Sequence, residues 1–183
     1  DPLLDGVIAF GRLDQNQIAF GQALHEFVSP AFAPEPDLFG SPAADARIEK
    51  AACMMADSAG RFHPDHRALL AYEQALRAPY AGVTHAERGM IAYAVGCRYE
   101  KDFKRPGEYL SLTSDEQADR ARQLGSAMRL GAVFSGRSGP ILRRASLARK
   151  GEKVDEPMVS DTVLRRLTQT ANQLRLKPTV VAG

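Results

Sequence analysis

The chain has 183 residues, 44% of them hydrophobic and 25% charged, with a formal net charge of +2. That describes one ordinary soluble domain, or a domain with a small appendage, able to bury about two thirds of its unfolded surface. The apolar runs fall far short of the roughly 20 residues a membrane span requires. Two cysteines leave no disulfide framework, and the absence of Trp argues against an aromatic platform for single-stranded nucleic acid.

Taken in chain order, most segments carry a helical period. Phe20, Leu24, Phe27 and Val28 form one apolar stripe, which predicts a helix over about residues 14–29, ended by Ser29-Pro30. Residues 30–42 hold Pro30, Pro34, Pro36 and Pro42 with Gly40, a loop or hinge. Ser41-Pro42 then supplies an N-cap and a first helical residue. Ala44, Ile48, Ala51, Ala52 and Met55 follow as a stripe of small residues suited to close helix packing, up to Gly60. A short helix is expected from about Pro64 to Leu76. Thr84 and Glu87 have capping-box spacing before a helix that turns Met90, Ile91, Ala94 and Val95 inward. Lys101 to Gly107 is a basic loop, and Thr113-Ser114-Asp115-Glu116 offers a second capping box for a helix reaching about Phe134. After a turn at Gly136 to Gly139, residues 145–149 and 153–159 suggest two short strands around Lys150-Gly151-Glu152, the second at an edge because of Pro157. A last helix from Ser160 presents Val163, Leu164, Leu167, Ala171 and Leu174 on one face.

Charge divides the chain. Residues 1–96 hold 7 Lys and Arg against 12 Asp and Glu, whereas residues 97–183 hold 17 against 10. The basic half favours a polyanion or an acidic partner. Its pairs Arg143-Arg144 and Arg165-Arg166 favour phosphate, whose oxygens match the guanidinium fork. A solvated helical surface is the competing explanation. No basic-then-apolar leader opens the chain, so a reducing cytoplasm is expected. The start at Asp1-Pro2 without Met is what a fragment or processed product would show.

A catalytic constellation is harder to find. Asp57, His63, His66 and His85 could gather a divalent metal in the manner of the HD phosphohydrolases, but no His-Asp dipeptide occurs and positions 65–66 are Asp-His. No Gly-x-Ser-x-Gly elbow, phosphate-cradling glycine loop or Cys-x-x-Cys is present. Cys53 lies in an alanine-rich helix, the setting of a structural thiol. The expectation is no catalytic and no metal-binding residue in this chain.

Several strings carry a resemblance. They are Lys50-Ala51-Ala52-Cys53-Met54-Met55-Ala56-Asp57, His63-Pro64-Asp65-His66-Arg67, His85-Ala86-Glu87-Arg88-Gly89-Met90, and the run from Arg120 to Leu130 that leads to Phe134-Ser135-Gly136. In this order and spacing they resemble the C-terminal region of the exopolyphosphatase and guanosine pentaphosphate phosphatase family, nearest its bacterial exopolyphosphatase branch. The resemblance implies a mainly α fold: an HD-like helical domain over residues 1–136, then a small α+β lobe over residues 137–183 made of a β-hairpin and a helix. It also implies that two actin-like domains, outside this chain, hold magnesium and cut terminal phosphate from inorganic polyphosphate.

The expected role is therefore a non-catalytic domain that binds polyphosphate, tethers it for processive cutting and supports a homodimer, with no membrane and no specific nucleic acid as partner. Candidate polymer contacts are Arg61, His63, Arg67 and Arg88, together with Arg98, Lys101, Arg120 and Arg129. His63 and Arg67 lie four apart, on one face of a helix. Two alternatives stand beside this one. The first is an autonomous metal-dependent HD-type phosphohydrolase; the second is a dimerisation scaffold built on the alanine-rich stripe of residues 44–59 and the last helix.

Overall fold

The computed structural model describes residues 1–32, 37–147 and 160–178. Among them are α1 (Pro2–Gly11), α2 (Gln15–Phe32), α3 (Pro42–Met54), α4 (Pro64–Arg77), α5 (His85–Tyr99), a 3-10 turn (Gly107–Leu112), α6 (Asp115–Ser135), α7 (Gly139–Leu142) and α8 (Asp161–Gln173). The fold is mainly helical, and no strand occurs among the described residues. Residues 148–159, which hold most of the expected hairpin, lie outside the described residues. Residues 145–147 have no regular structure, and the Leu147 N–H donates to the Phe27 carbonyl at 2.8 Å, which ties the segment to α2.

Local chemistry sets the helix starts. The Asp1 carboxylate accepts from the Leu3 N–H at 2.8 Å and opens α1, an element the apolar periodicity did not reveal. Ser41 Oγ caps α3 through the Ala44 N–H. At α5 the Thr84–Glu87 box forms in both directions, at 2.6 and 3.2 Å. The box at α6 sits one residue later than expected, between Ser114 and Gln117. Thr113 is buried and its hydroxyl accepts from Arg105, so it is not free to cap. Nor does Pro30 end α2. The helix continues to Phe32, because one more turn seats Ala31 and Phe32 in the core and outweighs the single amide that proline removes. The α3 helix stops at Met54, short of Gly60, in successive turns that still bury Met55, Ala56 and Ala59.

The long buried run of α5, from Gly89 to Cys97, makes it the central helix. It packs between α4 and α6 and touches α3, while α2 lies against α3, α6 and α7. Approach is closest where α5 meets α6. A Cβ on Gly125 would stand 2.5 Å from Cys97 Cβ and 2.7 Å from the Ala94 carbonyl, so only glycine fits there. The alanine stripe of α3 and the turns behind it is core: Ala51, Ala52, Ala56 and Ala59 are fully buried and unavailable to a second copy of the chain. The last helix, α8, packs on α6 through Val163, Thr170 and Ala171. Leu164 points to solvent at 42% exposure, off the face on which it was expected.

Candidate functional site

Three of the expected contact residues are committed inside the fold. Arg88 donates to the carbonyls of Leu76, Ala78 and Tyr80 and lies over the Tyr80 ring, which clamps the α4–α5 connection. Arg120 forms a buried ion pair with Glu49 at 3.0 Å and lies 5.3 Å from the centre of the Phe32 ring. Burial raises the Glu49 pKa to about 7 against the pull of Arg120, and Asp45 adds to the rise. Arg129 donates from Nε to the Arg98 carbonyl at 3.1 Å and from Nη2 to the Cys97 carbonyl, closing the end of α5. Burial, then the nearby Arg166 and Arg98, lower its pKa to about 10.

The other five lie at or near the surface. Arg67 donates twice to the Phe62 carbonyl, at 3.1 and 2.8 Å, and its guanidinium lies 5.8 Å from the Tyr99 ring. Arg98 stacks on the same ring at 4.9 Å, and its Nε is buried without a hydrogen-bond partner. Burial lowers its pKa; Tyr99 and Asp57 oppose that shift, and Arg137 and Arg67 reinforce it. His63 is the exposed N-cap of α4, with Nδ1 3.6 Å from the Asp65 carboxylate. Arg61 and Lys101 are exposed.

Two concavities collect the open charge. The larger, about 620 Å³, lies where the end of α5 meets α6 and α8. Lys101, Arg165, Arg166 and Arg175 line it against the single carboxylate of Asp119. Arg166 donates to Gln169 at 2.9 Å, yet its Nε is buried and unpartnered. Carboxamides from Gln123, Asn172 and Gln173 complete the wall. The smaller pocket, about 360 Å³, sits at a corner between the start of α2, the α3–α4 turns and the end of α6. Arg61 and Arg137 line it together with the carboxylates of Asp14 and Asp57, and Asp57 holds Arg137 at 3.3 Å.

Arg165 and Arg166 were read from sequence only as a pair that favours phosphate and not as polymer contacts, and Arg137 and Arg175 were not singled out at all. A signal for three of them was present: after Arg165-Arg166, the residues Gln169, Asn172 and Gln173 recur at helical spacing, a polar stripe beside the apolar one. The histidine cluster does not converge. The His63 and His66 rings are 6.2 Å apart and tilted, Asp57 faces Arg137, and among the described residues no group of three potential metal ligands forms. Nor is any described helix long and apolar enough to cross a membrane.

Fold and surface together define a mainly helical domain with a cationic groove between α6 and α8. Residues 20–162 match the family model for the C-terminal region of exopolyphosphatases, and the chain belongs to that family. No curated protein matches the chain.

Proposed function

We propose that this domain binds inorganic polyphosphate and holds it for a catalytic half outside the chain. One observation carries the reading: the α6–α8 groove sets Lys101, Arg165, Arg166 and Arg175 against one carboxylate, Asp119. A polyanion bound there releases condensed counterions as each phosphate meets a cation. Guanidinium forks can grip its oxygens bidentately. Held by this groove, a polymer keeps a high effective concentration at a cutting site elsewhere in the same protein, which favours successive cuts over release. In this reading actin-like domains of a longer cytoplasmic enzyme supply magnesium and the hydrolysis of terminal phosphate. Homodimerisation would double the number of tethers.

The test is polyphosphate binding to the chain across a salt series, with phosphate release followed in the same samples with and without magnesium or manganese. The expected result is binding that weakens steeply with salt and no release, with Arg165→Gln and Arg166→Gln each weakening binding about tenfold. Metal-dependent release abolished by His63→Ala would establish the HD-hydrolase alternative. No binding at low salt would leave a scaffold.

A further inference from the structure

The Arg143-Arg144 pair, which reads in sequence as a phosphate signal, lines neither pocket. Both residues are exposed in the turn that follows α7, and Arg143 Nε reaches the Glu26 carboxylate on α2 at 3.3 Å. An exposed ion pair of this kind exchanges partners at little cost. Ser146 stands three residues after Arg143 and two after Arg144, with the apolar Leu147 next. The same spacing recurs in Arg165-Arg166-Leu167-Thr168, and the structure separates the two. Thr168 sits in the hydrogen-bonded backbone of α8, whereas residues 145–147 have no regular structure. Ser146 is half-buried, and its hydroxyl has no hydrogen-bond partner among the described residues. Just past it, the Leu147 N–H bond to the Phe27 carbonyl ties the segment down.

We propose that Ser146 is a phosphorylation site, the acceptor for a protein kinase whose substrate cleft is acidic. Such a cleft takes an extended segment and reads charge at fixed offsets from the acceptor, here two guanidiniums before it, with an apolar pocket for Leu147 after it. The segment reaches that form by giving up the Leu147 tie and the turn bonds behind it, a local opening. Thr168 would require α8 to unwind. In the reaction Ser146 Oγ attacks the γ-phosphorus of a nucleoside triphosphate. The Oγ–P bond forms, the bond to the bridging oxygen breaks, the nucleoside diphosphate leaves, and the hydroxyl proton passes to the kinase's catalytic carboxylate. The product sets nearly two negative charges beside Arg143 and Arg144. Charge-assisted bonds to a phosphoserine are stronger than the exposed contact with Glu26, so Arg143 is drawn away from α2 and onto the phosphate. The site shares no residue with the groove and does not depend on its reading.

The test treats the 183-residue chain with ATP, magnesium and a purified protein kinase selective for serine or threonine after paired arginines, and mass spectrometry locates the phosphate. A peptide of residues 140–147 serves as the control that the kinase is active. The expected result is one phosphate, on Ser146, absent in Ser146→Ala and added at least about tenfold more slowly in Arg143→Gln and in Arg144→Gln. Thr168→Val is expected to react as the unaltered chain does, and thermal melting checks that every variant is folded. In phosphorus NMR the second ionisation of the phosphoserine is expected to fall from about 6 to about 5, and to return toward 6 in Arg143→Gln after prolonged reaction. Phosphate on Thr168 in place of Ser146, no phosphate on the chain while the peptide is labelled, or a titration unmoved by Arg143→Gln would overturn the proposal. Each result stands whether or not the groove binds polyphosphate.

Discussion

Between α3 and α6, Arg120 is 6% exposed and bonded to Glu49; in the groove between α6 and α8, Arg165 and Arg175 face solvent with no ion pair among the described residues. Arg88, half-buried, and Arg120 and Arg129, buried, each have a fixed acceptor within the fold, a carbonyl or a carboxylate. The groove arginines have amides and space. The same residue type thus supports two kinds of work, and the density of basic residues along the chain does not separate them. Burial and the identity of the acceptor do.

The sharpest test of that division is a pair of truncations. Measured above the Glu49 titration, at about pH 8 or higher, Arg120→Ala deprives a buried carboxylate of its cation, and breaking such a pair costs up to about 3–5 kcal/mol, less where Glu49 takes up a proton instead. Arg165→Ala removes only an exposed side chain, and its cost is expected to stay within about 0.5 kcal/mol. Denaturant unfolding reads both, and polyphosphate binding is expected to show the reverse order for variants that remain folded. Equal stability losses would erase the distinction.

Much of the helical architecture was legible because capping signals act within four residues. Thr84 with Glu87, Ser41 with Pro42, and Ser160 at the start of α8 are local chemistry, and each helix begins where its cap stands. Non-local facts were out of reach. Nothing next to Pro30 announces that Phe32 will meet the core and the Arg120 guanidinium, which is what carries α2 past the proline. The site divides in the same way. Arg61 and Lys101 line pockets, but Arg88 and Arg129 are met by backbone carbonyls, and Arg120 by the Glu49 carboxylate, that no spacing rule locates. On α8 the Arg165-Arg166 pair was legible as a phosphate signal, but the groove it lines with Lys101 and Arg175 depends on how α8 packs against α6, which no local pattern gives.

The interior also carries a pH dependence that the open groove is not expected to share. In the folded chain Glu49 titrates near 7, against about 4.5 for the unconstrained side chain. Between those values the native state holds a proton that the unfolded chain releases. Its stabilising contribution is therefore complete below about pH 4.5 and is lost as pH rises through 7. The total is about 3 kcal/mol at most. Asp45 is the other carboxylate facing this site, and it is fixed by the Leu38 and Phe39 N–H groups at 2.9 Å each. Denaturant midpoints measured across that window are expected to fall with rising pH for the natural chain and to flatten in Glu49→Gln. A slope that survives the substitution would assign the effect to another group.

The smallest expected effect is also the most selective. All the non-glycine residues at positive φ among the described residues are arginines: Arg12, Arg137 and Arg175. Arg12 and Arg175 occupy the same place in the same motif. Each follows a helix, and the next amide reaches back to the helix, Leu13 to the Ile8 carbonyl and Leu176 to the Ala171 carbonyl. Glycine at either position relieves the left-handed backbone and is expected to raise stability by about 1 kcal/mol. Only Arg175 lines the groove, and Arg12 lines neither pocket. Arg175→Gly is therefore expected to melt higher and bind polyphosphate more weakly, whereas Arg12→Gly melts higher with binding unchanged. Strain kept at 175 would then be strain that the site requires. Equal binding in the two variants would make both arginines ordinary helix ends, and the groove would rest on Lys101, Arg165 and Arg166 alone.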